Sequence, residues 1–309
     1  MSEFFIAGDW GTTNLRLWLR RGAAVLDVRT GPGALAAGGA FETTLFDLIQ
    51  PWLDQHPAAP VILCGMVGSR IGWVEAPYAA CPAGAEAIAA QGVRLTARGA
   101  PILLVPGVTG PSPRGAPDVM RGEETQILGA LQLDPRLAVG RHLLVLPGTH
   151  TKWVEVEDAR IVAVQTAPAG ELFALLRHHG ALALHGAETP DTPGEGFIAG
   201  LARSGAGEPG GLLHALFETR SRRLVDGWSE TLALDFLSGL LIGADVAGGL
   251  ALFAHADGAA VLVGDPRLNL RYQAAFARHG RAAEALDGEA CALAGLGALF
   301  NAASPELAP

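Results

Sequence analysis

Two short segments carry residues suited to holding phosphate: Asp9-Trp10-Gly11-Thr12-Thr13-Asn14 and Pro147-Gly148-Thr149-His150-Thr151-Lys152. Each is a Gly-Thr turn between two apolar, strand-like runs. Glycine lets the backbone approach an anion closely, and successive turn N–H groups form a nest for it. The threonine hydroxyls add donors. In the first turn Gly11, Thr12, Thr13 and Asn14 are the candidate phosphate ligands, with Arg16 on the strand that follows. In the second they are Gly148, Thr149, His150, Thr151 and Lys152, the lysine adding an ammonium charge. Asp9, at a strand end, is placed to hold Mg2+ directly or through water. A capped hairpin would explain either turn alone. Two that match in order and chemistry argue for a site that takes a polyphosphate such as ATP.

The elements around these turns also match. Residues 4–30 and 142–166 each read as strand, Gly-Thr turn, strand, polar turn, strand, with a helical pattern after. Turns this short predict antiparallel meanders. Phe41, Leu45, Leu48, Ile49, Trp52 and Leu53 recur at helical spacing, with Pro51 placed to kink or end that helix. Residues 61–67 and 101–107 are continuous apolar runs, as expected of strands buried on both faces. The stretch 68–86 between them is polar and punctuated by Gly and Pro, and reads as a functional loop. Residues 118–131 read as a strand end followed by a helix. Helices are expected at 170–182, 194–224, 229–255, 268–279 and 288–303, and a buried strand at 259–265. This order implies an α/β protein with mixed sheets flanked by helices, in two halves at 1–140 and 141–309. The cleft between the halves is the expected ligand site.

Bulk properties narrow the class. At 309 residues, half of them apolar and 17% charged, the chain is long enough for two cores and is not disordered. A net charge of −9 argues against a nucleic-acid partner. Cys64, Cys81 and Cys291 lack any zinc-ligand spacing and fit a reducing cytoplasm. The first residues lack a basic leader, so no signal peptide is expected. The apolar run 232–256 carries Asp235 and Asp245, which a membrane span would bury at a cost of several kcal/mol. It reads as a buried helix, with no membrane partner.

The paired turns resemble those of the sugar kinase/Hsp70/actin ATPase superfamily. The resemblance becomes specific with Gly65-Met66-Val67-Gly68-Ser69-Arg70-Ile71-Gly72-Trp73, Glu75-Ala76-Pro77-Tyr78, Cys81-Pro82-Ala83, residues 118–126, Leu146 to Trp153, Gly170-Glu171-Leu172-Phe173 and residues 237–243. These strings are similar to the 2-dehydro-3-deoxygalactonokinase family over essentially the whole chain. The resemblance implies two RNase H-like domains of the actin/hexokinase type. It further implies transfer of the ATP γ-phosphoryl group to the 6-hydroxyl of 2-dehydro-3-deoxy-D-galactonate, in galactonate breakdown. Composition and spacing alone reach only a two-domain, ATP-dependent phosphotransferase.

Such chemistry needs a base beside the accepting hydroxyl. Glu123 and Glu124, opening a helix after a strand, match the position of the catalytic carboxylate in related sugar kinases, and the choice between them is open. Both also suit a plain first-turn role against the helix dipole. Some superfamily kinases place a catalytic Asp in the second phosphate loop; here that loop offers Thr149 and His150. The 68–86 loop is expected to shape the sugar-acid site. Ser69 and Arg70 would hold its carboxylate, Trp73 and Tyr78 its carbon chain, and Glu75 its hydroxyls. Arg121 is a second candidate for anion contact or else a structural salt bridge, and Glu171 a substrate contact or a helix N-terminal acid. Gly264 and Asp265 resemble the superfamily's adenosine loop. Gly295 and Gly297 suggest a tight hinge or a small-residue helix contact. Competing readings are an exopolyphosphatase-like hydrolase, which calls for a basic channel, and a non-catalytic sugar-acid sensor or ATPase module. Sugar acid and ATP are the expected small-molecule partners; a homo-oligomer is left open.

Overall fold

A computed structural model describes residues 4–182, 186–205, 210–256 and 258–307. The chain packs as two compact units. The first holds the residues up to Gly140, Val156–Val164 and the segment from Gly288; the second holds Arg141–Glu155 and Gln165–Asp287.

The first unit opens with β1 (Phe4–Trp10), β2 (Asn14–Arg21) and β3 (Ala24–Pro32). They pair as the antiparallel meander their short turns predict. Next come α1 (Ala34–Ala37), α2 (Phe41–Gln55), β4 (Val61–Gly65), β5 (Tyr78–Ala80) and α3 (Ala85–Ala90). The segment closes with β6 (Val93–Ala97), β7 (Ala100–Leu104), β8 (Gly107–Pro111), β9 (Pro117–Met120) and α4 (Glu123–Leu133). The main sheet has the order β3-β2-β1-β4-β7-β6. β4 lies parallel to both β1 and β7, and every one of its residues is buried, as its unbroken apolar run requires. α2 covers this sheet with Phe41, Leu45, Phe46, Ile49, Trp52 and Leu53. Pro51 does not end it: the helix runs on to Gln55. β5, β8 and β9 form a separate small sheet.

The remaining strands are β10 (Arg141–Leu146), β11 (Thr151–Glu157), β12 (Arg160–Ala167), β13 (Ala260–Gly264) and β14 (Ala283–Asp287). Between β12 and β13 lie α5 (Ala169–His178), α6 (Glu195–Arg203), α7 (Gly211–Leu216), α8 (Glu218–Val225) and α9 (Glu230–Leu252). α10 (Pro266–Arg278) joins β13 to β14, and α11 (Gly288–Leu307) ends the chain. The sheet order β12-β11-β10-β13-β14 repeats the third-second-first-fourth order of the first sheet, which then differs in ending on the β7-β6 hairpin. The internal repeat of the sequence is therefore a repeat of topology.

α9 is long and apolar enough to cross a membrane, but most of it is buried inside the protein. Its two aspartates are both satisfied there. Asp235 pairs with Arg271 at 2.8 Å. Asp245 accepts from Tyr272 Oη at 2.6 Å and Trp153 Nε1 at 2.9 Å.

The sequence division places α11 in the second half, whereas α11 packs against α4 in the first unit. Two glycines explain why. A Cβ on Gly129 of α4 would sit 1.7 Å from the Cys291 carbonyl oxygen, and one on Gly295 of α11 would sit 1.8 Å from that of Thr125. The small-residue reading of Gly295 is thus the one observed. Gly129→Ala or Gly295→Ala is expected to destabilise the protein by about 1–3 kcal/mol or more, because neither backbone can yield to the new methyl group. Gly248→Ala, whose Cβ meets nothing within 4 Å, is expected to be neutral or stabilising. Thermal melts of the three variants read the difference directly.

Candidate active site

Strand register sets out the first part of the site. Arg16 pairs with Asp9 across β2 and β1, and Asp9 pairs with Cys64 across β1 and β4. The three side chains form one row at the C-terminal end of β1. Cys64 Sγ donates to Asp9 Oδ1 at 3.7 Å. Burial raises the pKa of Asp9; the Cys64 hydrogen bond and Arg16 oppose this, while the charges of Glu123 and Glu289 add to it. A carboxylate held in the field of two further acids is suited to a cation. Among the described residues no ready-made cluster of three or more protein ligands converges. That arrangement fits Mg2+, which keeps several waters and takes one or two carboxylates. Arg16 Nη1 donates to Glu289 Oε2 at 2.7 Å, both side chains half-exposed. Glu289 lies in the first turn of α11 and was not singled out from sequence. Only the three-dimensional return of α11 to the first unit brings it here.

Both Gly-Thr turns are pinned in the same manner. In the first, the carbonyls of Gly11, Thr12 and Thr13 accept from the amides of Ala34, Leu35 and Gly33. With its carbonyls turned to the start of α1, the turn is left with donors for an anion, and Thr12, Thr13 and Asn14 are exposed. Gly33 is indispensable to this approach: a Cβ there would lie 2.2 Å from the Thr13 carbonyl carbon. In the second, the Thr149 carbonyl accepts from the Glu171 amide, and a Cβ on Gly170 would lie 2.3 Å from the Gly148 oxygen.

The second turn's side chains divide. Thr149 and His150 are exposed. His150 Nε2 lies 2.8 Å from Glu171 Oε2, so the carboxylate considered as a substrate contact is instead paired within the turn. Lys152 is nearly buried, and its Nζ donates to Thr166 Oγ1 at 2.9 Å. Thr151 departs from expectation: it is fully buried, with Oγ1 2.8 Å from the Tyr272 hydroxyl. Its hydroxyl belongs to a core network with Tyr272 and Asp245, whose carboxyl is pushed up to about 6 by burial.

Glu123 and Glu124 differ sharply in environment. Glu123 is half-buried, and its Oε2 accepts from the Arg121 amide at 3.0 Å. Glu124 is fully buried; its Oε2 accepts from the Gly122 amide at 2.7 Å and its Oε1 from Thr125 Oγ1 at 3.1 Å. Burial and then the neighbouring Glu123 charge push Glu124 up to about 8. Without exposed surface, its carboxyl favours the protonated form near neutral pH and holds the turn at the start of α4. Gly122 between Arg121 and Glu123 has φ +108°, which a side chain would strain.

The 68–86 loop is braced from within. Ser69 Oγ donates to the Met66 carbonyl at 2.8 Å, so the serine ties the loop. Trp73 packs against the core of the first unit as an anchor. Arg70 and Glu75 are exposed. Tyr78 is 40% exposed, with the Arg121 guanidinium 4.4 Å over its ring.

The second unit contains a cavity of about 290 Å³. Gly148, Gly170, Phe173, Asp265, Leu268 and Arg271 are among its lining residues. Asp265 caps α10 through Oδ1, which accepts from the Arg267 and Leu268 amides. Gly264 lies just behind, where a Cβ would approach the Pro147 oxygen to 3.3 Å. Arg271 and Asp235 form a buried pair beside the cavity, and Asp235 Oδ2 also accepts from the amides of Gly194 and Phe197. Sequence reading missed this pair, because 36 residues separate its members.

A repeated four-strand order, two pinned Gly-Thr turns and an Arg16–Asp9–Cys64 row at a strand end go with an actin/hexokinase-type sugar kinase fold. The chain belongs to the 2-keto-3-deoxy-galactonokinase family, whose profile matches residues 9–299. A 2-dehydro-3-deoxygalactonokinase from Escherichia coli (strain K12) is 37% identical over 306 residues, covering 98% of this chain and 99% of the relative. A crystal structure from Sinorhizobium meliloti, provisionally assigned to the same activity, is 35% identical, with a TM-score of 0.87 over 97% of this chain and 99% of that one. The activator of a 2-hydroxyisocaproyl-CoA dehydratase from Clostridium difficile, at 12% identity, covers 98% of this chain and 97% of its own with a TM-score of 0.54, which speaks to fold alone.

The raised Glu124 yields a pH signature. Its folded pKa exceeds the ordinary 4.5, so between about pH 4.5 and 8 the folded state binds more protons than the unfolded one. Its contribution to stability therefore falls as pH rises through that window and levels off above about 8. Glu124→Gln removes the titration while keeping the shape. Melting temperatures of the variant should fall less from pH 5 to pH 8 than those of the wild type; identical slopes would show that Glu124 titrates normally.

Proposed function

We propose that this protein transfers the γ-phosphoryl group of ATP to the 6-hydroxyl of 2-dehydro-3-deoxy-D-galactonate, giving ADP and the 6-phosphate in galactonate breakdown. The observation that carries this reading is the end-to-end similarity to relatives named for that activity. The contrast between Glu123 and Glu124 supports a division of roles. Glu123, half-buried at the start of α4, is the base that accepts the proton of the attacking hydroxyl. Glu124, sealed and protonated, shapes the turn that presents it. The Thr12 and Thr13 amides and hydroxyls and the Asn14 side chain are phosphate ligands, with Gly11 letting the backbone approach and Arg16 beside them. The Gly148–His150 turn and Lys152 are phosphate ligands as well. Asp9 holds Mg2+, which offsets phosphate charge during transfer. The cavity lined by Phe173, Asp265 and Leu268 takes the adenosine. The domain boundary falls after residue 140, with α11 assigned to the first domain. The enzyme is expected to work in the cytoplasm on small molecules, without nucleic acid or membrane.

ADP release with Mg-ATP, measured against both C4 epimers of the sugar acid, common hexoses and polyphosphate, tests the substrate. Turnover of the galacto epimer alone supports the reading; no sugar-acid-dependent ADP release sinks it. Glu123→Gln is expected to lower kcat by about 10²–10⁴-fold with little change in KM for ATP. Glu124→Gln should cost less than about tenfold. The reverse ranking would exchange the two roles.

A further inference from the structure

Arg121 is half-buried, yet two of its guanidinium nitrogens are sealed without a partner. Its Nη2 donates to the Ala76 carbonyl at 2.8 Å, and its guanidinium lies 4.4 Å from the centre of the Tyr78 ring. These two contacts hold the group in place. Its Nε and Nη1 are buried and have no hydrogen-bond partner. Arg20 and Arg177 each leave only Nε unmatched; Arg121 leaves two nitrogens. A guanidinium stays charged at any physiological pH, so two unmatched buried donors are unfavourable until an acceptor arrives. The backbone of Gly68 lies close to this end of the group. Gly68 faces Nη1, and a Cβ there would lie 3.2 Å from that nitrogen and 3.2 Å from Ala76 Cβ.

We propose that Arg121 binds the carboxylate of the sugar acid and thereby makes the enzyme prefer acids to neutral sugars. The proposal rests on the reading of the chain as a sugar-acid kinase. A carboxylate presents two oxygens, which suits a guanidinium with two donors to satisfy. The position suits it too. The Arg121 amide donates to Glu123 Oε2, and only Gly122 separates the two residues. The acid's charged end and its 6-hydroxyl end would then be served by a single rigid turn, one residue binding and the other accepting the proton. Arg70, exposed on the 68–86 loop, lacks this fixation. Because Nε and Nη1 are shielded in the absence of substrate, the 69–78 loop has to shift for the carboxylate to reach them.

The test compares kcat/KM for 2-dehydro-3-deoxy-D-galactonate with that for its neutral counterpart, in which a hydroxymethyl group replaces the carboxylate. Wild-type enzyme should favour the acid. Arg121→Met should cut the acid-to-neutral ratio by about 30-fold or more, chiefly through KM for the acid, with KM for ATP unchanged. Arg121→Lys, which keeps the charge but loses the fork, should fall between. Gly68→Ala, which crowds Nη1 while retaining the arginine, should also lower the ratio. Should Arg121→Met fail to fold, the Lys and Gly68→Ala variants decide. An unchanged ratio in the folded Arg121 variants, or its collapse in Arg70→Met instead, overturns the proposal. A wild-type enzyme that phosphorylates neither compound overturns the sugar-acid kinase reading on which the proposal rests, whereas one that phosphorylates both with no preference for the acid overturns the proposal alone.

Discussion

In the first unit two helix backbones touch. At the α4–α11 crossing, Gly129 and Gly295 let main chain meet main chain with no side chain between them. The acidic site depends on that closeness. α4 carries Glu123 and Glu124 at its N-terminus, and α11 carries Glu289 at its own. Gln126 reaches from α4 to the Gly288 carbonyl, so the two helix starts are tied as well as the middles. Glu289 then holds Arg16, and Arg16 lies beside Asp9 in the sheet. Spread the helices by the width of a methyl group, and the carboxylates around Asp9 lose their mutual placement. Farther along α11 a second device works to the same end: Arg20 donates to the Leu293 carbonyl, and Phe5 stacks on Phe300 at 4.1 Å.

The two phosphate turns rest on a different close approach, used twice. A glycine that leaves the third strand of each meander, Gly33 or Gly170, lies against the Gly-Thr turn made by the first two. The helix that begins there takes up turn carbonyls with its free amides. One arrangement thus solves two problems. Helix-start N–H groups that lack partners find them, and turn carbonyls that would repel phosphate are turned aside. The duplication extends to sheet order but not to chemistry. The first turn is followed by an arginine and an acidic row, the second by a histidine–glutamate pair and a buried lysine.

Much of this was legible in the residues. The meanders, α2, β4, the helix behind Glu123, and the buried character of α9 follow from periodicity and turn chemistry. The phosphate turns were legible because they occur twice. What escaped was of three kinds. β6 alternates as an edge strand should, and Arg98 and Gly99 carry the positive φ of a tight hairpin, yet the strand is short and half-polar and was passed over. Side chains distant in sequence, such as Glu289 beside Arg16 or Arg271 beside Asp235, leave no local pattern. The third kind is burial. Glu123 and Glu124 are identical in type and adjacent, and only the helix face distinguishes a half-open carboxylate from a sealed one. The same holds for Thr151, whose residue type suits a phosphate contact but whose strand position points it into the core.

The path of the chain has a consequence for how it is made. A ribosome delivers β1 long before α11, yet these belong to one core. Phe5 has no Phe300 to stack on, and Gly129 no Gly295 to meet, until α11 has been made. The second unit has all its residues at Asp287, before the first has its own. Folding during synthesis therefore cannot follow the usual order of N-terminal unit first. The early-made sheet must wait, with one face of α4 uncovered, while the later-encoded unit closes ahead of it. A chain interrupted between Lys152 and α11 would hold both phosphate turns and still lack the helix that seats its acids.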